Sequence, residues 1–356
     1  MYDSIRPGKV WLDTDGNRIQ AHGGSIITAG DTFYWYGENK EKTTGESEIW
    51  HWGVRCYSSR DLCNWKSEGI IIPPDTENPE SPLYPTAMMD RPHIIYNEKT
   101  GNYVAWLKIM GEPPCFAILE ANHILGPYRM VNPRFNPCGG LEVGDFDLQV
   151  DPETKKGYLI SQKPHTCIYV AELTEDYTGT LGSYTEHFPH IAPPEAREAP
   201  AHFMRNGKHY LITSGTTGYF SNPSEVSVSD DWNGPYRILG NPHAGDPSKT
   251  SFNSQITSVF QHPYKKDLYI ALADRWRPDL PELAGEKWEN GVYSDEIQKK
   301  FQRIFDPSVE FVFRPEDAKD MRINSSVSDY VWLPLIFEGE QVKIYWKDKW
   351  KPEDFE

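Results

Sequence analysis

Apolar residues fall along the chain in short β-branched and aromatic runs, punctuated by Gly, Asp, Asn and Pro. That pattern predicts strands joined by tight turns rather than helices. One unit recurs: a turn, then an aromatic-rich strand. It begins at Gly30-Asp31-Thr32-Phe33-Tyr34-Trp35-Tyr36 and returns at Thr100-Gly101-Asn102-Tyr103, Lys156-Gly157-Tyr158, Asn206-Gly207-Lys208-His209-Tyr210 and Lys266-Asp267-Leu268-Tyr269. The Gly or Asp tips suit the positive φ of a tight hairpin. A second strand–turn–strand unit follows the first four copies, and a Gly-Pro-Tyr triplet repeats at Gly126 and Gly234. The spacing is uneven, roughly 50 to 70 residues, as expected when loops intervene between repeats.

Five copies of a four-stranded unit predict an all-β chain folded as a five-bladed β-propeller, whose radial repetition leaves only short sheet edges. A β-sandwich is the alternative architecture. The reading treats residues 1–356 as one catalytic domain. The opening strand Lys9-Val10-Trp11-Leu12-Asp13 is expected to pair with the last blade and close the ring. An insertion in that blade, at about 277–325, carries a short predicted helix over Ser294–Phe301, with Ser or Asp as its cap.

Charge narrows the partners. Lys plus Arg number 36 against 52 Asp plus Glu, a formal net charge of −16. Such a surface repels phosphate, which argues against nucleic acid and anionic membranes. No run approaches the length of a membrane helix, about 18 apolar residues. No leader is visible after Met1, so a cytoplasmic location is expected, or a secreted one if a leader was trimmed. The five cysteines match no zinc spacing and read as reduced, mostly buried thiols; Cys56 and Cys63 would be the pair to join in an exported protein.

Propellers place function at one end of the channel, so polar residues interrupting inner strands are the candidates. Four segments qualify: Gln20-Ala21-His22-Gly23-Gly24 with Glu38; Asp90-Arg91-Pro92; Asp145-Phe146-Asp147; and Arg197-Glu198-Ala199-Pro200 leading to Thr216. Strand alternation puts Asp145 and Asp147 on one face, where two carboxylates would raise each other's pKa. Paired carboxylates in an aromatic cleft are the apparatus of glycoside hydrolysis. Trp35, Tyr36, Trp106, Tyr219 and Trp276 are the candidate faces for stacking on sugar rings.

The ordered set Gln20-Ala21-His22-Gly23-Gly24, Tyr34-Trp35-Tyr36-Gly37-Glu38, Asp90-Arg91-Pro92, Glu198-Ala199-Pro200, Ser214-Gly215-Thr216, Ser254-Gln255, Asp274-Arg275-Trp276 and Tyr330-Val331-Trp332 resembles glycoside hydrolase family 43. It is most similar to the exo-β-1,3-galactanase branch. The resemblance implies a five-bladed propeller, exo attack and inversion of configuration. It makes Glu198 the general acid, Asp145 the aspartate that tunes it, and Gln255 a glutamine near the attacking water. Glu38 and Thr216 would bind the terminal sugar, and Gln20, His22, Trp106, Asp274 and Arg275 complete the candidate binding set. The sequence departs from the family in its first blade, which lacks the usual aspartate base, and in Gly144, where an arginine is expected before Asp145. A glutamine amide is a poor proton acceptor, so Gln255 orients water but is no ordinary base. The base therefore stays open, with Asp90 the nearest carboxylate.

The expected activity is release of terminal galactosyl or arabinosyl residues from plant-type oligo- or polysaccharides. The competing classes are a catalytically silent sugar-binding propeller and another propeller glycosidase or phosphorylase. The last needs a basic phosphate pocket, and no Arg/Lys cluster stands among the inner-strand motifs. No cofactor is expected. A structural calcium ion stays open, though no Asp/Asn-rich loop spells out its site.

Overall fold

A computed structural model describes residues 1–189, 194–279 and 323–356, together with Lys299, Arg303 and residues 308–310. The helix expected over Ser294–Phe301 lies, apart from Lys299, outside the described residues.

Twenty-two strands form five sheets among the described residues. The first blade holds β1 (His22–Ala29), β2 (Thr32–Glu38), β3 (Val54–Ser59) and β4 (Lys66–Ile72). The second holds β5 (Met88–Asn97), β6 (Asn102–Met110), β7 (Cys115–Ala121) and β8 (Arg129–Phe135). The third holds β9 (Phe146–Val150), β10 (Gly157–Lys163), β11 (Cys167–Leu173) and β12 (Thr180–His187). The fourth holds β13 (Arg197–Arg205), β14 (Lys208–Gly215), β15 (Glu225–Ser229) and β16 (Arg237–Gly240). Each is an antiparallel meander in chain order. The fifth is built differently. From the inside out it runs β18 (Gln255–Gln261), β19 (Tyr269–Arg275), β21 (Leu333–Glu338), β22 (Gln341–Tyr345), with β17 (His243–Ala244) added in parallel at the rim and β20 (Asp329–Tyr330) pairing β19.

The innermost strands β1, β5, β9, β13 and β18 touch one another in a closed ring, β18 returning to β1. That ring is the five-bladed propeller. Its hairpins follow the turn chemistry: Asn206 and Gly207 both have positive φ, the type I′ requirement. The third blade differs from expectation, because the left-handed residue there is Lys155 rather than Gly157. The Gly-Pro-Tyr repeat is structural. The hydroxyls of Tyr128 and Tyr236 donate to the carbonyls of Ile124 and Trp232, each four residues back.

Closure does not follow the predicted strand pairing. The N-terminal segment joins the last blade through a single Ile5–Trp350 bridge and a hydrogen bond from Gly8 N to the Tyr330 carbonyl. Leu12, within the expected strand, bridges Arg18 instead. What closes the ring at 9–13 is an aromatic wedge. Trp11 packs edge-on against Trp332 and Trp35, with centroids 4.9 and 5.9 Å apart. Trp35 in turn meets Trp332 at 4.5 Å and Trp65 at 5.3 Å. Side chains of this size bury roughly 150–250 Å² each, so a few of them outweigh a short ladder. All five cysteines are free thiols.

Candidate active site

All inner strands enter the ring at the same mouth, and the candidate side chains cluster at their N-terminal ends. His22 starts β1, Asp90 lies near the start of β5, Asp145 immediately precedes β9, Glu198 lies near the start of β13 and Gln255 starts β18. The neighbouring strand supplies four of these five with a polar partner in register: His22 faces Glu38, Asp90 faces Lys108, Glu198 faces Ser214 and Gln255 faces Asp274.

The backbone repeats a device here. The register slips between His22 and Ser25, between Asp90 and His93, and between Glu198 and Ala201. Each slip contains a left-handed residue: Gly23 (φ 62°), Arg91 (φ 47°) and Ala199 (φ 49°). Bulges of this kind re-aim the adjacent side chain. Asp90 and Glu198 thus hold equivalent bulge positions two blades apart. Gly23 also makes room, because a methyl group there would lie 2.4 Å from Glu38 Oε1.

Arg91 ties the mouth together. Its amide N–H donates to Glu38 Oε1 (2.7 Å), its Nε pairs with Asp145 Oδ1 (3.0 Å), and its Nη2 donates to Gln255 Oε1 (2.6 Å). Lys108 Nζ donates to Asp145 Oδ1 at 2.7 Å and pairs with Asp90 Oδ2 at 3.3 Å. Lys40 Nζ pairs with Glu38 Oε2 at 2.7 Å and lies 3.7 Å from Asp90 Oδ1, which also accepts from the Trp50 indole at 2.7 Å.

These contacts set the protonation of the carboxyls. Burial works against the charge of Asp145, but Arg91 and Lys108 outweigh it and bring its pKa down to about 2. Glu198 is driven the other way. Burial, then the negative charge of Asp145, push it up to about 8 against the opposing pull of Arg91 and Lys108. A carboxyl kept protonated beside an ionised partner is the requirement for a general acid at neutral pH. Asp147 behaves independently of Asp145, contrary to the shared-face expectation. It lies deeper, accepts from the His202 amide at 2.8 Å, and is pushed up to about 7 mainly by burial.

Gln255 is bonded on every side. Its Nε2 donates to Glu198 Oε1 (3.2 Å) and Ser214 Oγ (3.0 Å); its Oε1 accepts from Arg91 and from the Trp276 indole (3.2 Å). It therefore stands against Glu198, rather than across a water gap from it. Thr216 is half-buried, with its hydroxyl donating to the Ala196 carbonyl at 2.8 Å.

The remaining predicted binding residues divide. His22 and Asp274 are buried and bonded to each other at 2.8 Å, while Asp274 also accepts from the Gly23 amide; they sit beneath Trp276 and present no surface to a sugar. Gln20 is buried, with its Nε2 donating to the Ser326 carbonyl. Besides His22 and Asp274, two more binding assignments are corrected. Trp106 is wholly buried between the second and third blades, packed on Phe116 and Phe135, because the pleat turns it away from the channel. Arg275 points away from Asp274 and its guanidinium donates to the carbonyls of Phe252, Asn253 and Gly8. Of the candidate stacking faces, Trp35 and Tyr36 are also core, whereas Tyr219 and Trp276 are half-buried and meet at 5.9 Å.

Sequence reasoning missed Lys40, Trp50 and Lys108. The signal for Lys108 was a lone charge inside the apolar strand Tyr103–Met110, which is tolerated only when paired. Among the described residues no group of three or more His, Cys, Asp or Glu is arranged to hold a metal ion, and no helix is long and apolar enough to cross a membrane.

Comparison with known proteins agrees with this geometry. Among solved structures, a protein described as a family 43 β-1,3-galactosidase matches with a TM-score of 0.78 and 25% identity, covering 100% of this chain and 65% of that one. This chain therefore spans less than two thirds of that protein. A second so described, solved with galactodeoxynojirimycin, matches with a TM-score of 0.76 and 28% identity over 97% of this chain and 99% of that one. An exo-β-1,3-galactanase from Clostridium thermocellum matches with a TM-score of 0.73 and 26% identity over 97% and 66%. Among curated protein sequences none matches. The sequence model of glycosyl hydrolases family 43 matches residues 19–280, and with that span, this fold and a carboxyl pair at the channel mouth, the chain belongs to family 43.

Proposed function

We propose that this glycosidase is an inverting, exo-acting hydrolase that removes terminal β-1,3-linked galactosyl residues, with Glu198 as general acid. The observation that carries the reading is Glu198 itself: a carboxyl pushed up to about 8, next to an Asp145 held down to about 2, at the open end of the channel. The galactose preference is supported by the described activities of the neighbours at 25–28% identity.

In this reading Glu198 gives its proton to the departing glycosidic oxygen while water attacks the anomeric carbon from the opposite face. Asp90 is the water-side carboxylate and takes the proton that the attacking water gives up. It holds the bulge position equivalent to that of Glu198, and Lys40, Lys108 and the Trp50 indole fix its orientation. Its remaining lone pairs are free to take a water hydrogen bond. Gln255 locks the geometry by bonding Glu198 and Arg91 together. Tyr219 and Trp276 offer the aromatic faces. A phosphorolytic alternative loses its support here. The three buried cations Lys40, Arg91 and Lys108 do gather at the site, but each is paired with a carboxylate rather than free for phosphate.

The test is hydrolysis of β-1,3-galacto-oligosaccharides, with the anomer of the released galactose followed by NMR. Wild-type protein should release inverted product. Glu198→Gln should lose about 10²- to 10⁴-fold on the oligosaccharide and much less on an aryl galactoside whose leaving group needs no proton. Retained configuration, or full oligosaccharide activity in Glu198→Gln, would overturn the assignment.

A further inference from the structure

Lys108 lies in the second strand of the second blade, outside every motif discussed above. Its side chain is buried, and its one ammonium group reaches two carboxylates on different blades: Asp90 of β5, directly opposite it in register, and Asp145 ahead of β9. Asp90 is on the water side of the proposed reaction and Asp145 on the acid side. We infer that Lys108 is a positioning residue that joins these two halves of the site, its one ammonium group holding Asp90 and Asp145 in a single arrangement. This rests on the reading of Glu198 as general acid.

The surrounding charges define the sign. Around Lys108 stand Asp90 and Arg91 of β5, Asp145 ahead of β9 and Glu198 of β13; Glu38 of β2 and Lys40 just beyond it lie behind Asp90, and the Tyr219 hydroxyl faces the same acidic cluster. Lys108 opposes the upward push on Glu198, and Asp145 keeps Arg91 as a second cation if Lys108 is lost. Removing the ammonium group therefore leaves Asp145 ionised and its field on Glu198 less compensated, so Glu198 should hold its proton to higher pH. The same change removes, among the described residues, the one partner of Asp90 Oδ2 and leaves the carboxylate held only at Oδ1, by Lys40 and the Trp50 indole. A misplaced catalytic group costs turnover rather than ground-state binding.

The experiment compares wild type, Lys108→Met and Lys108→Arg by two readouts. The first is the titration of Glu198 by carboxyl ¹³C NMR without substrate, which does not depend on which sugar the protein cleaves. The second is the pH dependence of kcat and kcat/KM on a β-1,3-galactobiose substrate. Lys108→Met should move the Glu198 midpoint and the basic limb of kcat/KM upward by about half a pH unit or more. It should also lower kcat about 10- to 100-fold with KM within about threefold. Lys108→Arg, which keeps the charge, should leave the midpoint near wild type. If Lys108→Met does not fold, Asp90→Asn with Lys108→Met, compared with Asp90→Asn alone, carries the same comparison with one charge of each sign removed. An unmoved Glu198 midpoint in either comparison, or the same upward shift in Lys108→Arg, overturns the inference. Loss of galactoside cleavage in wild type with the midpoint shift intact would instead overturn the proposed substrate and leave the inference standing.

Discussion

Glu198 holds a proton because it is desolvated and the cations around it are already matched to other carboxylates. Three buried cations, Lys40, Arg91 and Lys108, pair with three carboxylates, Glu38, Asp90 and Asp145. The fourth carboxyl has no cation of its own; its hydrogen bond comes from the neutral amide of Gln255. In a buried site an unmatched negative charge is costly, so the group protonates instead. Burial is the larger cause and Asp145 the next. The sign of one substitution follows. Asp145→Asn removes the neighbouring negative charge, so Glu198 should lose its proton at lower pH. The basic limb of kcat/KM, which reports the acid in the free enzyme, should move downward by about one pH unit. A pH–rate profile checks this, and an unmoved limb would break the link between the two residues.

At the scale of elements, the site is a bulge repeated around the ring. A slip in register with one left-handed residue lets an inner strand turn its first polar side chain to the mouth while the rest of the strand stays in the ladder. Only the first blade uses glycine for it, and the reason is local: Glu38 lies against Gly23. Gly23→Ala meets both a φ of 62° and a contact of 2.4 Å to Glu38 Oε1. It should cost about 1–3 kcal/mol in stability. It should also displace Glu38, whose Oε1 holds the Arg91 amide, and lower turnover by about tenfold or more. Thermal unfolding and kcat measured on the same preparation check the pair of effects; a fully active, equally stable variant would contradict the packing.

Across the whole molecule, stability resides in the layers between blades, and residues there resemble binding residues when read one at a time. Trp106 illustrates this. It ends up in the cluster shared by the second and third blades, with its indole N–H donating to the Tyr177 carbonyl. Trp106→Ala should therefore cost about 3–5 kcal/mol in stability. KM of the folded fraction should stay unchanged. A large rise in KM at temperatures where the variant is folded would return Trp106 to the binding site. Ring closure follows the same logic. Trp11, Trp35, Trp65 and Trp332 interlock between the first and last blades. The N-terminal segment needs no ladder of its own to hold the circle shut.

Much of this was determined locally and so could be read from the chain. Turn residues and apolar runs define strands within a few residues of themselves, and five repeats of a unit that cannot bury its own faces imply a closed ring. The Asp-Arg-Pro and Glu-Ala-Pro motifs made Asp90 and Glu198 candidates, and it was their company with the other motifs, as the family resemblance implied, that gave Glu198 a role. Strand alternation rightly separated Phe146 and Leu148 from the aspartates beside them, since both pack in the core. What lay beyond reach was every property that depends on which strands become neighbours. Lys108 is an isolated lysine until folding sets it between Asp90 and Asp145. Arg275 and Asp274 are adjacent in sequence, yet the pleat sends one to the backbone carbonyls of Phe252, Asn253 and Gly8 and the other to His22 beneath the site. Asp145 and Asp147 share a face, but two residues of depth give one a pair of cations and the other mainly desolvation. Local propensity acts over a few residues of chain, whereas burial and Coulomb interactions act through space. The strands were therefore legible in the sequence, and only the tertiary structure decided which carboxyl keeps its proton.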